Sequence, residues 1–222
     1  HAFYHDGAAM RDLGTFGGSS SFSLAVNNAG QVAGYAYGPG DAWYHAFLYD
    51  ARTGAPIQDL GTLSQSSLAQ DINDAGQVVG YSRDAGGDLR AFRFDGGTMH
   101  DLGLPADAQG AEARAINAGG WTVGYVYYRD ARQIAFLHDG TTMINLGTLT
   151  GYAHSRAYGI NDFDDVVGIL HNNLSILLLG FEGPAVCNET VSAGISFARA
   201  RGLTEVVDHL DSQQGAALSD RI

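Results

Sequence analysis

Lysine is absent from this chain, cysteine occurs once, and no apolar stretch approaches the length of a membrane-spanning helix. Each absence excludes something. With Cys187 as its lone thiol, the chain cannot close an internal disulfide. All 12 cations are arginine, scattered along the sequence and outnumbered by 24 acids, for a net charge of −12. Phosphate backbones are bound by clustered cations, so a nucleic-acid partner is not expected. The longest apolar stretch, around Ile176 to Leu179, is far short of the roughly 20 residues needed to cross a bilayer. Apolar residues at 3.6-residue spacing are missing too, which excludes helical repeats. No Gly-x-Ser-x-Gly elbow occurs, and the single cysteine contributes no pair of metal ligands. No cofactor and no metal are expected.

What the chain has in plenty is glycine, 31 in 222 residues, and aspartate, which supplies 20 of the 24 acids. Both residues favour turns over helix interiors. A length of 222 residues with 45% hydrophobic side chains is enough to bury a core in one or two domains.

One pattern recurs four times. Its reference phenylalanines are Phe3, Phe47, Phe92 and Phe136, spaced 44, 45 and 44 residues apart, and its glycines Gly34, Gly80, Gly124 and Gly168 are spaced 46, 44 and 44. A fixed period of this size means one structural unit repeated. Each copy contains four short segments. The first is Ala-Phe: Ala2-Phe3, Ala46-Phe47, Ala91-Phe92 and Ala135-Phe136. The second centres on Leu13, Leu60, Leu102 and Leu146, each followed by glycine. The third alternates small and variable residues from Ser21, Ser67, Ala111 and Ser155 and ends in Val26, Ile72, Ile116 or Ile160. Such period-two alternation predicts a half-buried strand. The fourth runs Val32 to Tyr35, Val78 to Tyr81, Thr122 to Tyr125 and Val166 to Ile169. Segments three and four are joined by a turn opening on Asn27, Asn73, Asn117 or Asn161, with Gly30, Gly76, Gly120 or Asp164 three residues later. An asparagine bonding its own backbone explains the first position, and tolerance of positive φ the second.

Four antiparallel strands in about 44 residues is the size of one propeller blade. The fold class expected is therefore all-β: a β-propeller of four-stranded antiparallel blades, about five in number with the fifth incomplete. The pattern HAFLYD…DLGTL…S-x-A-x-x-IN-D-x-G-x-VVGYS, over residues 1 to about 170, resembles the HAF repeat, a bacterial family of extracellular repeats. The resemblance implies export and a propeller-like arrangement. It brings no reaction with it, so no catalytic residue is transferred.

The chain reads as one domain, 1–222, with repeats at 1–44, 45–90, 91–134 and 135–170, an insertion at 171–194 and a degraded copy at 195–222. In that last copy Phe197 stands for Phe47, Asp208 for Asp59, and Ile222 for Ile72. The sequence then stops one hairpin short of a complete unit, which suggests a piece of a longer chain. No basic-then-apolar leader precedes His1, so a signal peptide is expected to have been removed. An extracellular or cell-surface location is expected, with the periplasm as the alternative.

Function on a repeat scaffold resides in residues that break the repeat. Taking the Ala-Phe strand as innermost, the connections from segment four to one and from two to three share one end. There lie the candidate binding residues Trp43, Tyr44, Tyr127, Tyr128, Arg129, Arg132 and His154. Tyrosine and tryptophan beside arginine suit a sugar ring or a protein partner; packing between blades is the structural alternative. The acidic turn Asp162, Asp164 and Asp165 lacks the glycine and terminal glutamate of a calcium loop and reads as a solvated turn. The leading reading is an exported, non-enzymatic propeller that binds or scaffolds a protein partner. A glycan-binding propeller is the second. A propeller glycoside hydrolase is the third; it requires buried, inward-facing carboxylates with raised pKa.

Overall fold

The computed structural model describes residues 1–172 and is all-β apart from one 3-10 turn, Pro39–Asp41. The strands are β1 (Phe3–His5), β2 (Met10–Asp12), β3 (Ser21–Val26), β4 (Gln31–Tyr37), β5 (Tyr44–Asp50), β6 (Gln58–Asp59), β7 (Ser67–Ile72), β8 (Val78–Arg83), β9 (Leu89–Asp95), β10 (Thr98–Asp101), β11 (Ala108–Ile116), β12 (Thr122–Tyr128), β13 (Gln133–His138), β14 (Met143–Gly147), β15 (His154–Ile160) and β16 (Val166–His171). They form three four-stranded antiparallel sheets, β3-β4-β5-β6, β7-β8-β9-β10 and β11-β12-β13-β14, flanked by the two-stranded sheets β1-β2 and β15-β16. Every one of the four segments expected from the repeat is a strand. No helix among the described residues is long and apolar enough to cross a membrane. The degraded copy at 195–222, and the insertion beyond residue 172, lie outside the described residues.

The phase of the sheets differs from the phase of the repeat. A sheet starts on the third segment of one copy and ends on the second segment of the next, so the Ala-Phe strand is the third strand of its sheet and not the innermost. The third-segment strands touch one another in series, β3 to β7 to β11 to β15, and line the inner edge. The physical reason lies in side-chain size. Third-segment residues such as Ala69, Ala111, Ala113 and Ala157 are at most 1% exposed. Only small side chains let the inner strands of neighbouring sheets approach so closely.

The core lies between sheets. One cluster joins Ala33, Ala46 and Leu60 to Ala69, Ile72, Val78 and Phe92; the next joins Val79 and Ala91 to Ala111, Ile116, Val126 and Phe136. Consecutive residues Val78 and Val79 thus serve opposite faces of one sheet, as the pleat requires. Serine hydroxyls tie the layers. Ser67 Oγ accepts from Ala46 N at 2.8 Å and donates to Gly61 O at 2.5 Å, and Ser21 and Ser155 repeat the bridge.

The turn asparagines do more than cap their own turn. Asn73 Oδ1 accepts from the backbone N–H of Ala75 and Gln77, while its Nδ2 donates 3.0 Å across to the carbonyl of Asn117 in the next sheet. Asn27 reaches Asn73 and Asn117 reaches Asn161 in the same way, giving a ladder along the inner turns.

Candidate binding site

Each third-segment strand carries one extra residue. The register slips between Ser23 and Ala25, Ala69 and Asp71, Ala113 and Ala115, and Ala157 and Gly159, leaving Leu24, Gln70, Arg114 and Tyr158 as bulge residues. A bulge bends its strand and re-aims the side chains on it. It also presses the bulged strand against the fourth segment. A Cβ on Gly34, Gly80, Gly124 or Gly168 would lie 1.9–2.0 Å from the carbonyl oxygen of Phe22, Leu68, Glu112 or Arg156. The repeat glycine is therefore demanded by close approach, not by backbone dihedrals.

Beside that glycine the fourth segment presents Tyr35, Tyr81 and Tyr125, paired across the sheet with Phe22, Leu68 and Glu112. In the first unit the result is an aromatic surface: Tyr35 stacks on Phe22 at 4.9 Å and meets Tyr44 edge-on at 5.6 Å, while in the second Tyr81 faces the buried Leu68. Where β11 and β12 meet β15 it becomes a polar constellation. Glu112, 6% exposed, accepts from Arg114 Nη2 at 2.6 Å, from Tyr125 Oη at 3.0 Å and from Tyr127 Oη. The Arg114 guanidinium lies over Tyr125 at 5.3 Å and over Tyr158 at 5.8 Å. Arg156 covers Tyr125 at 4.6 Å and donates through Nε to Gln133 Oε1 at 2.6 Å and through Nη1 to Tyr158 Oη at 3.3 Å. Tyr158 itself is 39% exposed and opens this cluster to solvent.

The electrostatics follow from burial around one carboxylate. Burial, then the charge of Glu112, pushes the Tyr81 phenol up to about 12 and raises Tyr125 and Tyr127 as well. All three hydroxyls stay protonated at neutral pH, and those of Tyr125 and Tyr127 donate to Glu112. Burial works against the Arg114 cation, but Glu112 and Tyr125 outweigh it and raise its pKa. Its Nε is buried without a hydrogen-bond partner, so the guanidinium is not saturated.

The structure divides the residues expected from sequence. Tyr127 is a direct partner of Glu112. Tyr44 belongs to the aromatic row with Tyr35 and Tyr37. His154 backs the cluster: its Nδ1 accepts from Gln133 N at 3.1 Å, its ring stacks on His171, and burial lowers its pKa. Trp43 packs away from this place, against Phe16 at 6.0 Å and His45 at 4.2 Å. Tyr128 sits under Arg132, which pairs with Asp130 at 2.7 Å, and Arg129 is exposed on the same loop. Although the Ala-Phe strand is not innermost, loops 4-to-1 and 2-to-3 lie together: Asp41 holds Ser19, and Arg129 N donates to Asp107 O.

Glu112, Arg114, Tyr125, Arg156 and Tyr158 were not singled out by sequence. One signal was available: Glu112 is the only glutamate among the described residues, and it stands where other copies have Phe22 and Leu68. Among acids, Asp71 is also raised by burial, but its two oxygens accept from Ile72 N and Ile116 N and hold β7 to β11. No group of three His, Cys, Asp or Glu among the described residues could hold a metal ion.

No family model and no curated protein matches the chain. Among solved structures, it is similar to a fucose lectin from Kordia zhangzhouensis in complex with methyl-fucoside. The identity is 16%, over 59% of this chain and 99% of that one, with a TM-score of 0.35.

Proposed function

We propose that this chain is a non-enzymatic binding module whose sheets are blades of a propeller, and that the Glu112 cluster takes a sugar residue of a glycan. One observation carries the reading. The fold is satisfied by Phe22 and Leu68 at the position of Glu112, and by Leu24 and Gln70 at that of Arg114. Burying an ion pair instead costs desolvation that its Coulomb attraction only partly repays. Charge that the architecture does not need, held under an exposed tyrosine, is charge kept for a ligand.

The chemistry suits a pyranose. A sugar ring has an apolar C–H face for Tyr158 and hydroxyl pairs that a carboxylate accepts from and a guanidinium donates to. Fixed donors and acceptors reduce the ordering cost of binding. The equivalent positions differ in each unit, so one such site is expected and not one per blade. The resemblance to the HAF repeat supports an exported module at the cell surface or in the extracellular space.

A glycan array with the whole chain tests this. Binding to a restricted set of glycans is expected, falling at least about tenfold in Tyr158→Ala, which removes the stacking surface. The double variant Glu112→Leu/Arg114→Gln installs the residues of the second unit, so it folds, and it should lose binding altogether. Absence of any glycan ligand, or binding undiminished in the double variant, overturns the proposal.

A further inference from the structure

The junction between the second four-stranded sheet (β7–β10) and the third (β11–β14) is built differently from the two before it. Three repeat positions meet at each junction: one on the Ala-Phe strand of the earlier sheet, and a cross-strand pair on the next. Between β1-β2 and the first four-stranded sheet they are Tyr4, Val32 and Tyr49. Between the first and second they are Leu48, Val78 and Phe94. Between the second and third they are Arg93, Thr122 and His138. Apolar and aromatic side chains satisfy the fold at these positions, and polar ones there cost desolvation unless they find partners.

The polar trio is sealed in and only partly partnered. Thr122 is 0% exposed and His138 4%. Arg93 shares a sheet face with Val79, a core residue of this junction, and its Nη1 lies 3.7 Å from where a Cβ on Gly140 would sit. Thr122 Oγ1 and Arg93 Nε are buried without a hydrogen-bond partner. Arg93 forms no ion pair among the described residues. His138 has one bond that fixes its state: Nδ1 accepts from Gly140 N at 3.1 Å. The ring proton of the neutral imidazole is therefore on Nε2.

The groups that face this ring decide what a second proton does. Arg93 faces it from β9, and Asp139 from its own turn. The Asp139 oxygens are already taken by Thr141 and Thr142. Its cross-strand neighbours, Thr122 on β12 and Met143 on β14, carry no charge. Val79, Ala91, Ala113 and Ile116, which form the core of the junction, are apolar. A proton on Nδ1 turns the acceptor into a donor aimed at the Gly140 N–H. It also places a second cation beside Arg93, where water screens the pair poorly.

We propose that His138 makes this junction an acid-sensitive latch: uptake of a proton breaks the bond from Gly140 and sets two like charges together, so the second and third sheets loosen here while the junction of the first and second holds. The direction of the pH dependence follows from linkage. Burial, then Arg93, lowers the His138 pKa, and Asp139 opposes them. The unfolded chain binds the proton more readily than the folded one. Stability is thus complete above the ordinary histidine range and drains as pH falls through it.

Thermal unfolding of the full chain from about pH 8 to about pH 5 tests the latch, with each substitution taken from another copy of the repeat. His138→Phe gives that position the residue type of Phe94, and Arg93→Leu gives the type of Leu48. Relative to His138→Phe, the parent should lose about 3 °C or more of Tm over this range. His154, which burial also lowers, is present in both proteins and cancels. Arg93→Leu should lose less than the parent, because the like charge is gone. Hydrogen exchange locates the event: at acid pH, protection in β12 and β13 should fall below that of the same strands in His138→Phe, while β4 and β5 keep theirs. Should His138→Phe fail to fold, His138→Tyr, after Tyr49, serves the same comparison. Parallel pH curves for the parent and the position-138 variant overturn the proposal. So does an acid effect undiminished in Arg93→Leu. A loss of protection equal in all sheets would reflect net charge, not this junction, and overturn it as well.

Discussion

At the scale of single residues, the asparagine of each inner turn performs two tasks with two atoms, and they can be separated. Asn73 is 6% exposed; its Oδ1 closes the turn and its Nδ2 crosses to the next sheet. Asn73→Asp keeps the acceptor and removes the donor, while burying a charge opposite the carbonyl of Asn117. Asn73→Ala removes both. Each lost bond is worth about 1 kcal/mol, and a stranded buried partner adds to that. Urea unfolding should show a loss of roughly 2–4 kcal/mol for Asn73→Ala. Asn73→Asp should be least stable at neutral pH and recover as the carboxyl is protonated. A loss in Asn73→Ala no larger than that of an exposed turn residue would refute the ladder as a stabilising device. The turn role was legible in the sequence, because an asparagine before x-x-Gly has a local mechanism. The crossing bond was not, because it depends on which turn lies beside which.

At the scale of the element, the bulge governs both packing and site. It explains why the repeat glycine stands in mid-strand, where glycine is ordinarily unfavourable. For Gly80→Ala the new methyl would sit 2.0 Å from the Leu68 carbonyl oxygen. Backbone on both sides cannot yield as a flexible side chain could, so a cost of about 3 kcal/mol or more is expected, or a chain that does not fold. Circular dichroism and thermal unfolding of this variant decide the matter; a Tm near that of the parent would remove the close-approach account. The bulge also explains what sequence reading missed. The tyrosines of the site, Tyr81 and Tyr125, are repeat positions and read as architecture. Arg114 and Tyr158 occupy a slot whose extra residue has no signature in spacing, because all four copies carry it alike. The strand segments themselves, and the four turns, were legible because alternation and turn chemistry are local.

A second element-scale prediction concerns the tie between β7 and β11. Burial raises the Asp71 carboxyl, and the backbone N–H groups of Ile72 and Ile116 only partly oppose this. The sign follows from linkage. A folded-state pKa above the unfolded value means that the folded state binds more protons between the two values, so folding becomes more favourable as pH falls through that window. Asp50 behaves in the opposite way, lowered to about 2 chiefly by its hydrogen bond from Arg52. The stability of the parent relative to Asp71→Asn should therefore rise as pH falls through the carboxylate range. Parallel pH–stability curves for the two proteins would contradict the assignment.

At the scale of the whole molecule, identical repeat positions are not energetically equivalent, because the core lies between sheets and, among the described residues, β1-β2 packs against a neighbouring sheet on one side. In such quasi-one-dimensional arrays stability is a sum of unit and interface contributions. Phe92 is 0% exposed and packs with residues from two sheets, whereas Phe3, at the same repeat position, is 54% exposed. Phe92→Ala should cost about 3–5 kcal/mol, as for other buried aromatics cut to alanine. Phe3→Ala in dilute protein should stay within about 1 kcal/mol of the parent. The second value is the informative one, because it separates position in the repeat from burial. Denaturant midpoints of the parent and both variants give this directly. A Phe3→Ala loss as large as that of Phe92→Ala would mean that repeat position, and not burial, sets the energy.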